Sequence, residues 1–255
     1  MPRMLIIAVV VGLIAGLLVG GFHNLFTVPV MERAIVLEEE RAAAKSPIAG
    51  AEEPPLVSLG VQRIGMAVGT GIYGAILGLI FAGGYALLRR VVPQWQPLAV
   101  SVTVAALGFW CLSLFPFIKF PLNPPGVGDE NTLLFRQLFQ TLFFVLSTAG
   151  VAGLLVAAHR INRMTSDRTS RLQLYAGALL AYIVFAFVII IAIPGNPDLV
   201  PVPIDLLELF RTLTMIGHFL QWALLAVGVT LTLKWYARSA QGARLSAAGG
   251  PESAD

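Results

Sequence analysis

Long apolar runs broken by short polar stretches dominate this chain. Six stand out, at about 4–28, 64–88, 97–118, 132–158, 172–193 and 206–233. Each holds the roughly 20 apolar residues that a helix needs to cross a bilayer. The pattern predicts an all-α integral membrane protein with about six spans, arranged as three helical hairpins in one transmembrane domain over 1–238. The first run follows a minimal charged stretch, is too long for a signal peptide, and meets no cleavage signal in GGFHNLF. It is expected to stay as a helix. ERAIVLEEERAAAK suits a short amphipathic surface helix, which SPIAGAEEPP breaks. The tail at 239–255, SAQGARLSAAGGPESAD, is expected to be disordered.

Small residues recur at helix-packing spacing. Gly12, Gly16 and Gly20 share a stripe, as do Gly65 and Gly69, then Gly74 and Gly78. Such stripes let helix backbones approach closely in lipid.

Composition agrees with the pattern. Of 255 residues, 57% are hydrophobic and 12% charged, against about 45–50% and about 25% in soluble domains. A soluble enzyme, a nucleic-acid-binding domain and a disordered chain are excluded. The single cysteine, Cys111, lies in an apolar run and reads as a small packing residue. It excludes an internal disulfide and a one-chain thiolate cluster.

The scarce charges orient the chain. With the N-terminus on one side, that side receives ten of the 17 basic residues and three of the 14 acids. The positive-inside rule makes this side cytoplasmic, with both termini there and three long loops facing outward. The outward side then holds eleven acids, where a cation would arrive.

The second and third hairpins look alike. FPFIKFPLNPPGVGDENTLLFRQLF and AIPGNPDLVPVPIDLLELFRTL each carry an Asn-Pro, further prolines, an acid, and Leu-Phe-Arg opening the next helix. The first matches weakly, through Pro54, Pro55 and Arg63. Arg63, Arg136 and Arg211 therefore sit just inside the outer ends of the even-numbered helices. Parallel repeats of this kind are common in transporters. Charges at such depth need partners or snorkel to the interface. Glu208 is available to Arg211 three residues earlier, and Asp129 and Glu130 to Arg136. The alternative role for these arginines is an electrostatic gate.

Glu208, Arg211, Met215, His218 and Trp222 fall on one stripe of the sixth helix. Carboxylate, thioether and imidazole together suit a transition metal such as Co²⁺ or Ni²⁺. Glu208 and His218 are about 15 Å apart along the axis, so they suit successive stations rather than one site. His23 is the other histidine within a span; His159 reads as interfacial, and Lys119 as an anchor. For His23 and His218 a packing role is the plain alternative. The loop at Pro121, Asn123, Pro124, Pro125, Gly126, Gly128 and Asp129 is stiff and resembles a gate segment whose carbonyls line a cavity. A rigid turn is the alternative. No P-loop, dinucleotide fingerprint or HExxH appears, so no enzyme activity and no permanently bound cofactor are expected.

FPFIKFPLNPPGVGDENT followed by Arg136, with RAIVLEEE, LVSLGVQ and LFRTL, resembles the CbtA family, described as a probable cobalt transporter subunit. The resemblance covers nearly the whole chain. It implies a multi-pass protein of the prokaryotic inner membrane that supplies cobalt for cobalamin synthesis. It also implies a partner, CbtB, with one span and a histidine-rich end. Here the first outer loop lacks histidine, leaving Glu32, Glu38, Glu39, Glu40, Glu52 and Glu53 as capture groups. Carboxylates alone select Co²⁺ poorly from Mg²⁺ or Ca²⁺, so selectivity would lie within the membrane or with a partner. The reading is a cobalt permease or permease subunit, with path residues Asn123, Pro124, Pro125, Gly126, Gly128, Asp129, Arg136, Glu208 and Arg211. The metal candidates are His218, His23, Met215, Asp129 and Glu208. Co²⁺ would be cargo, and partners would be lipid, the one-span protein and possible further copies, without nucleic acid. The alternatives are a non-transporting scaffold and an anion permease.

Overall fold

A computed structural model describes residues 2–45, 59–124, 130–198 and 200–248. Among these residues there is no strand, and six helices are long and apolar enough to cross a membrane. The first span joins α1 (Pro2–Phe22), a π-helical turn (His23–Thr27) and α2 (Val28–Lys45). The second is α3 (Leu59–Val91). The third joins α4 (Pro97–Phe109), a second π turn (Trp110–Leu114) and α5 (Phe115–Lys119). The others are α6 (Leu133–Met164), α7 (Arg168–Ala192) and α8 (Ile204–Ala248). The chain is a multi-pass membrane protein.

Two boundaries differ from expectation. The predicted surface helix is α2, a continuation of the first span. The sixth helix runs on to Ala248, into the segment read as disordered. Its alanines are good helix formers, and extending an existing helix avoids the cost of nucleation.

Both π turns have the same cause. Each runs from six to two residues before a proline inside a span, Pro29 or Pro116. Proline has no N–H and its ring strikes the carbonyl four residues back. The chain responds by widening to i→i−5 bonds: Val28 N–H reaches the His23 carbonyl, and Phe115 N–H reaches that of Trp110. In the third span the next such donor would be Pro116, which has none. The Cys111 carbonyl is instead taken by the buried Ser147 hydroxyl of α6 at 2.8 Å.

Glycines seal the first two spans. A methyl at Gly12 would strike the Gly74 carbonyl, and one at Gly78 the Ala8 carbonyl. Gly65 and Gly69, in contrast, face open space. The central bundle is completed by α8, which packs on α1 and α4. Phe81, Val100, Trp222, Leu225 and Val229 fill its core. The third hairpin is open: α7 leans on α6 rather than pairing closely with α8. A Trp110 Nε1–H bond to the Tyr182 hydroxyl, 2.6 Å, also ties α7 to the third span.

The end bearing the chain termini is fastened by polar caps. Arg89 donates to the carbonyls of Pro93 and Trp95 across the turn between α3 and α4. His159 Nδ1 lies 3.2 Å from the Arg90 carbonyl, and Asn162 donates to that of Val91. Asp167 caps α7 by accepting the Ser170 N–H at 2.7 Å, which holds its carboxyl below the usual range.

Candidate functional site

The two π turns lie against the same stretch of α8. The second supplies Ser113, whose hydroxyl is 2.9 Å from His218 Nδ1. The first supplies His23, whose ring rests on the backbone of Gly217; a methyl at Gly217 would occupy the imidazole's place. His23 Nδ1 is 2.8 Å from the Thr27 hydroxyl, one turn further along. Tyr73 of α3 stands edge-on to His218, with ring centroids 6.3 Å apart. Below them Trp222 is fully buried and donates Nε1–H to the Ser113 hydroxyl at 3.4 Å. Gly108 provides the room, since a methyl there would strike the indole.

Both histidines thus engage a hydroxyl through Nδ1. Neither Nε2 makes a hydrogen bond among the described residues. A hydrogen-bond partner on one ring nitrogen fixes the tautomer and orientation that leave the other free to bind a metal. Among the described residues no three His, Cys, Asp or Glu side chains converge. His23 and His218 meet at adjacent positions of α8, the first resting on Gly217 and the second being the next residue.

Above the pair, towards the loop end, Val30, Ala34, Leu206 and Phe210 form a small apolar cluster. Beyond that seal lies a cavity of about 630 Å³ lined by Pro29, Glu32, Arg33, Pro203 and Asp205. On the other side of Trp222 an apolar crevice of about 250 Å³ runs between α3, α4 and α6, from Cys111 and Thr148 towards Leu87 and Leu155.

The stripe predicted on the sixth helix divides. His218 and Trp222 face the bundle interior. Glu208, Arg211 and Met215 line a groove of about 630 Å³ between the third and sixth spans. Arg211 does not take Glu208 as its partner. It donates through Nε to the Leu122 carbonyl (3.0 Å) and through Nη2 to Asn123 Oδ1 (2.8 Å). Arg136 pairs with Asp198 at 3.1 Å, and the Thr132 hydroxyl bonds the same carboxylate. Arg63 pairs with Glu32 at 3.2 Å. Pro124 follows Asn123 in the described part of the loop. Pro125, Gly126, Gly128 and Asp129 lie outside the described residues.

A family model described as Probable cobalt transporter subunit (CbtA) matches residues 1–234. The chain belongs to the CbtA family. Neither a curated protein nor a solved structure matches it. For this CbtA-family chain, sequence reasoning missed Ser113, Thr27, Tyr73, Asp198 and Asp205. The available signal was Pro29, at the end of the first apolar run, and Pro116, inside the third.

Proposed function

We propose that this chain is the membrane-embedded permease subunit for a divalent transition-metal ion, cobalt by family. His23 and His218 form the transport site. One observation carries the reading: the two histidines within spans, almost two hundred residues apart in sequence, stand at the same level of α8, and each meets through Nδ1 a hydroxyl that a π turn supplies. π turns of this sort recur at functional sites, and an ionisable side chain within a membrane span needs a reason to be there.

Two imidazoles suit Co²⁺ or Ni²⁺ better than Mg²⁺ or Ca²⁺. A site with few protein ligands also lets the ion leave, as conduction requires. The loop end faces outward in this scheme. Asp205 is the vestibule carboxylate that an arriving cation would meet, since Glu32 is held by Arg63. The seal at Phe210 parts, the ion meets the histidine pair, and Trp222 separates that pair from the inner crevice. Glu208 and Met215 stand beside this route rather than on it.

The test is uptake of labelled Co²⁺ into vesicles carrying this chain alone. His23→Ala and His218→Ala should each remove most uptake while the protein still reaches the membrane. Uptake at the unaltered level in both variants overturns the assignment. A non-transporting scaffold is the second reading, favoured by the absence of a three-ligand cluster among the described residues. It predicts no flux from the unaltered chain.

A further inference from the structure

We propose that the groove between the third and sixth spans binds a phospholipid with an ethanolamine headgroup. This is independent of the metal route. The groove is lined by Glu208, Arg211 and Thr212 near the loop end, then by Met215, Ile216 and Phe219 further in. Phe109 and Phe117 of the third span form its other wall, and Phe109 meets Phe219 edge-to-face at 5.9 Å between centroids.

The order along α8 is the argument. From the membrane boundary inward it reads carboxylate, guanidinium, hydroxyl, then apolar side chains. A phospholipid lying along the helix presents ammonium, phosphate, glycerol ester and acyl chain in that same order. Glu208 and Arg211 are three residues apart, about 4.5 Å of rise, which a two-carbon link between phosphate and ammonium can bridge.

Both charged groups have capacity to spare. Glu208 is exposed and has no hydrogen-bond or ion-pair partner among the described residues. Its ordinary partner on a helix would be the cation three residues on, but Arg211 is turned to Leu122 and Asn123. Those bonds use Nε and Nη2, so Nη1 remains for a phosphate oxygen. An ammonium brings three donors to Glu208, and hydrogen bonds between charged groups are the strong kind. A choline headgroup has no N–H to give. A glycerol headgroup has hydroxyls but no positive charge. The positive charge excludes glycerol and the N–H donors exclude choline, which leaves ethanolamine.

The test uses the full chain purified in detergent, with dioleoyl lipids of ethanolamine, choline and glycerol headgroups. Retention by native mass spectrometry and the rise in melting temperature are both read. The ethanolamine lipid should be held about tenfold more tightly than the others, the scale of one charge-assisted hydrogen bond. Glu208→Gln should abolish that preference while leaving the fold intact, because the side chain is exposed. Ile216→Trp, which fills the apolar part of the groove, should reduce retention of all three lipids. Equal retention of the three by the unaltered chain, a preference for the glycerol lipid, or an ethanolamine preference that survives Glu208→Gln each overturns the proposal.

Discussion

Arg136 pairs with Asp198 at 3.1 Å, across two hairpins rather than within one. Arg136 opens α6, in the second hairpin, and Asp198 stands in the loop of the third. The third hairpin returns the exchange, because Arg211 opens α8 and reaches Asn123 in the loop of the second. Each arginine therefore holds the other hairpin's loop. The two ties cross at the loop end, where α7 and α8 have no close packing to hold them together.

The Asp198 side chain is 7% exposed and that of Arg136 21%. Removing one member of a buried pair costs about 3–5 kcal/mol. The partial exposure of Arg136 places Asp198→Ala at the lower end, about 3 kcal/mol. Arg136→Met combined with Asp198→Ala should cost less than the sum of the single changes, because each single change already removes the shared pair. Denaturation of the two single variants and the double variant in detergent measures this. Additive losses would show that the pair is not the coupling.

The spans were legible because lipid imposes one demand, about 20 apolar residues per crossing. The arginine partners were not. Helix spacing favours the neighbour three residues away, which is how Glu208 came to be expected for Arg211. The observed partners, Leu122 and Asn123, lie on a different hairpin, and no periodicity encodes where a loop settles. The arrangement around the two histidines was half legible. His23 and His218 stood out as ionisable groups within spans, but their hydroxyl partners Thr27 and Ser113 depend on how two π turns rotate side chains between helices. Gly12 and Gly74 were recognisable as packing residues. Gly65 and Gly69 carry the same spacing and pack against nothing, so the motif alone does not name the face.

That contrast among glycines is testable. A methyl at Gly74 would meet backbone atoms of Gly12 and Gly16. Backbone cannot move aside like a flexible side chain, so Gly74→Ala should destabilise by at least the 1–3 kcal/mol typical of overpacking. Gly69→Ala adds a methyl into open space and removes a helix-weakening residue. It should be neutral or stabilising by about 0.5–1 kcal/mol. Melting temperatures of the two variants should move in opposite directions or differ strongly, and equal losses would contradict the packing described here.

Ser113 braces His218 without being a metal ligand itself. Loss of a hydrogen-bond partner that orients a ligating imidazole typically costs about 10–100-fold in metal affinity. Ser113→Ala should raise the Co²⁺ concentration for half-maximal uptake by about tenfold or more, with maximal capacity largely kept. Ser113→Thr restores a hydroxyl and should recover most of the affinity. A purely structural serine would instead lower the amount of folded protein, leave the half-saturation point in place, and gain nothing specific from threonine.

Pro29 links the local sequence to the site. It stands two residues beyond the turn that carries His23 and Thr27. Pro29→Ala restores an N–H and removes the ring clash, so the wide turn can close to α-helical spacing. An α-helix advances about 100° per residue. Removing the π turn's extra residue would therefore rotate Thr27 and α2 relative to His23, taking the Thr27 hydroxyl away from the imidazole, or slide α1 against α3. The glycine contacts at Gly12 and Gly74 resist the slide, so the rotation should dominate. Stability should hold or rise slightly, because a helix-disfavouring proline has gone, while Co²⁺ uptake falls towards the level of His23→Ala. Uptake and melting temperature measured on the same preparation separate these effects. Full uptake in Pro29→Ala would mean that the π turn does not position the histidine.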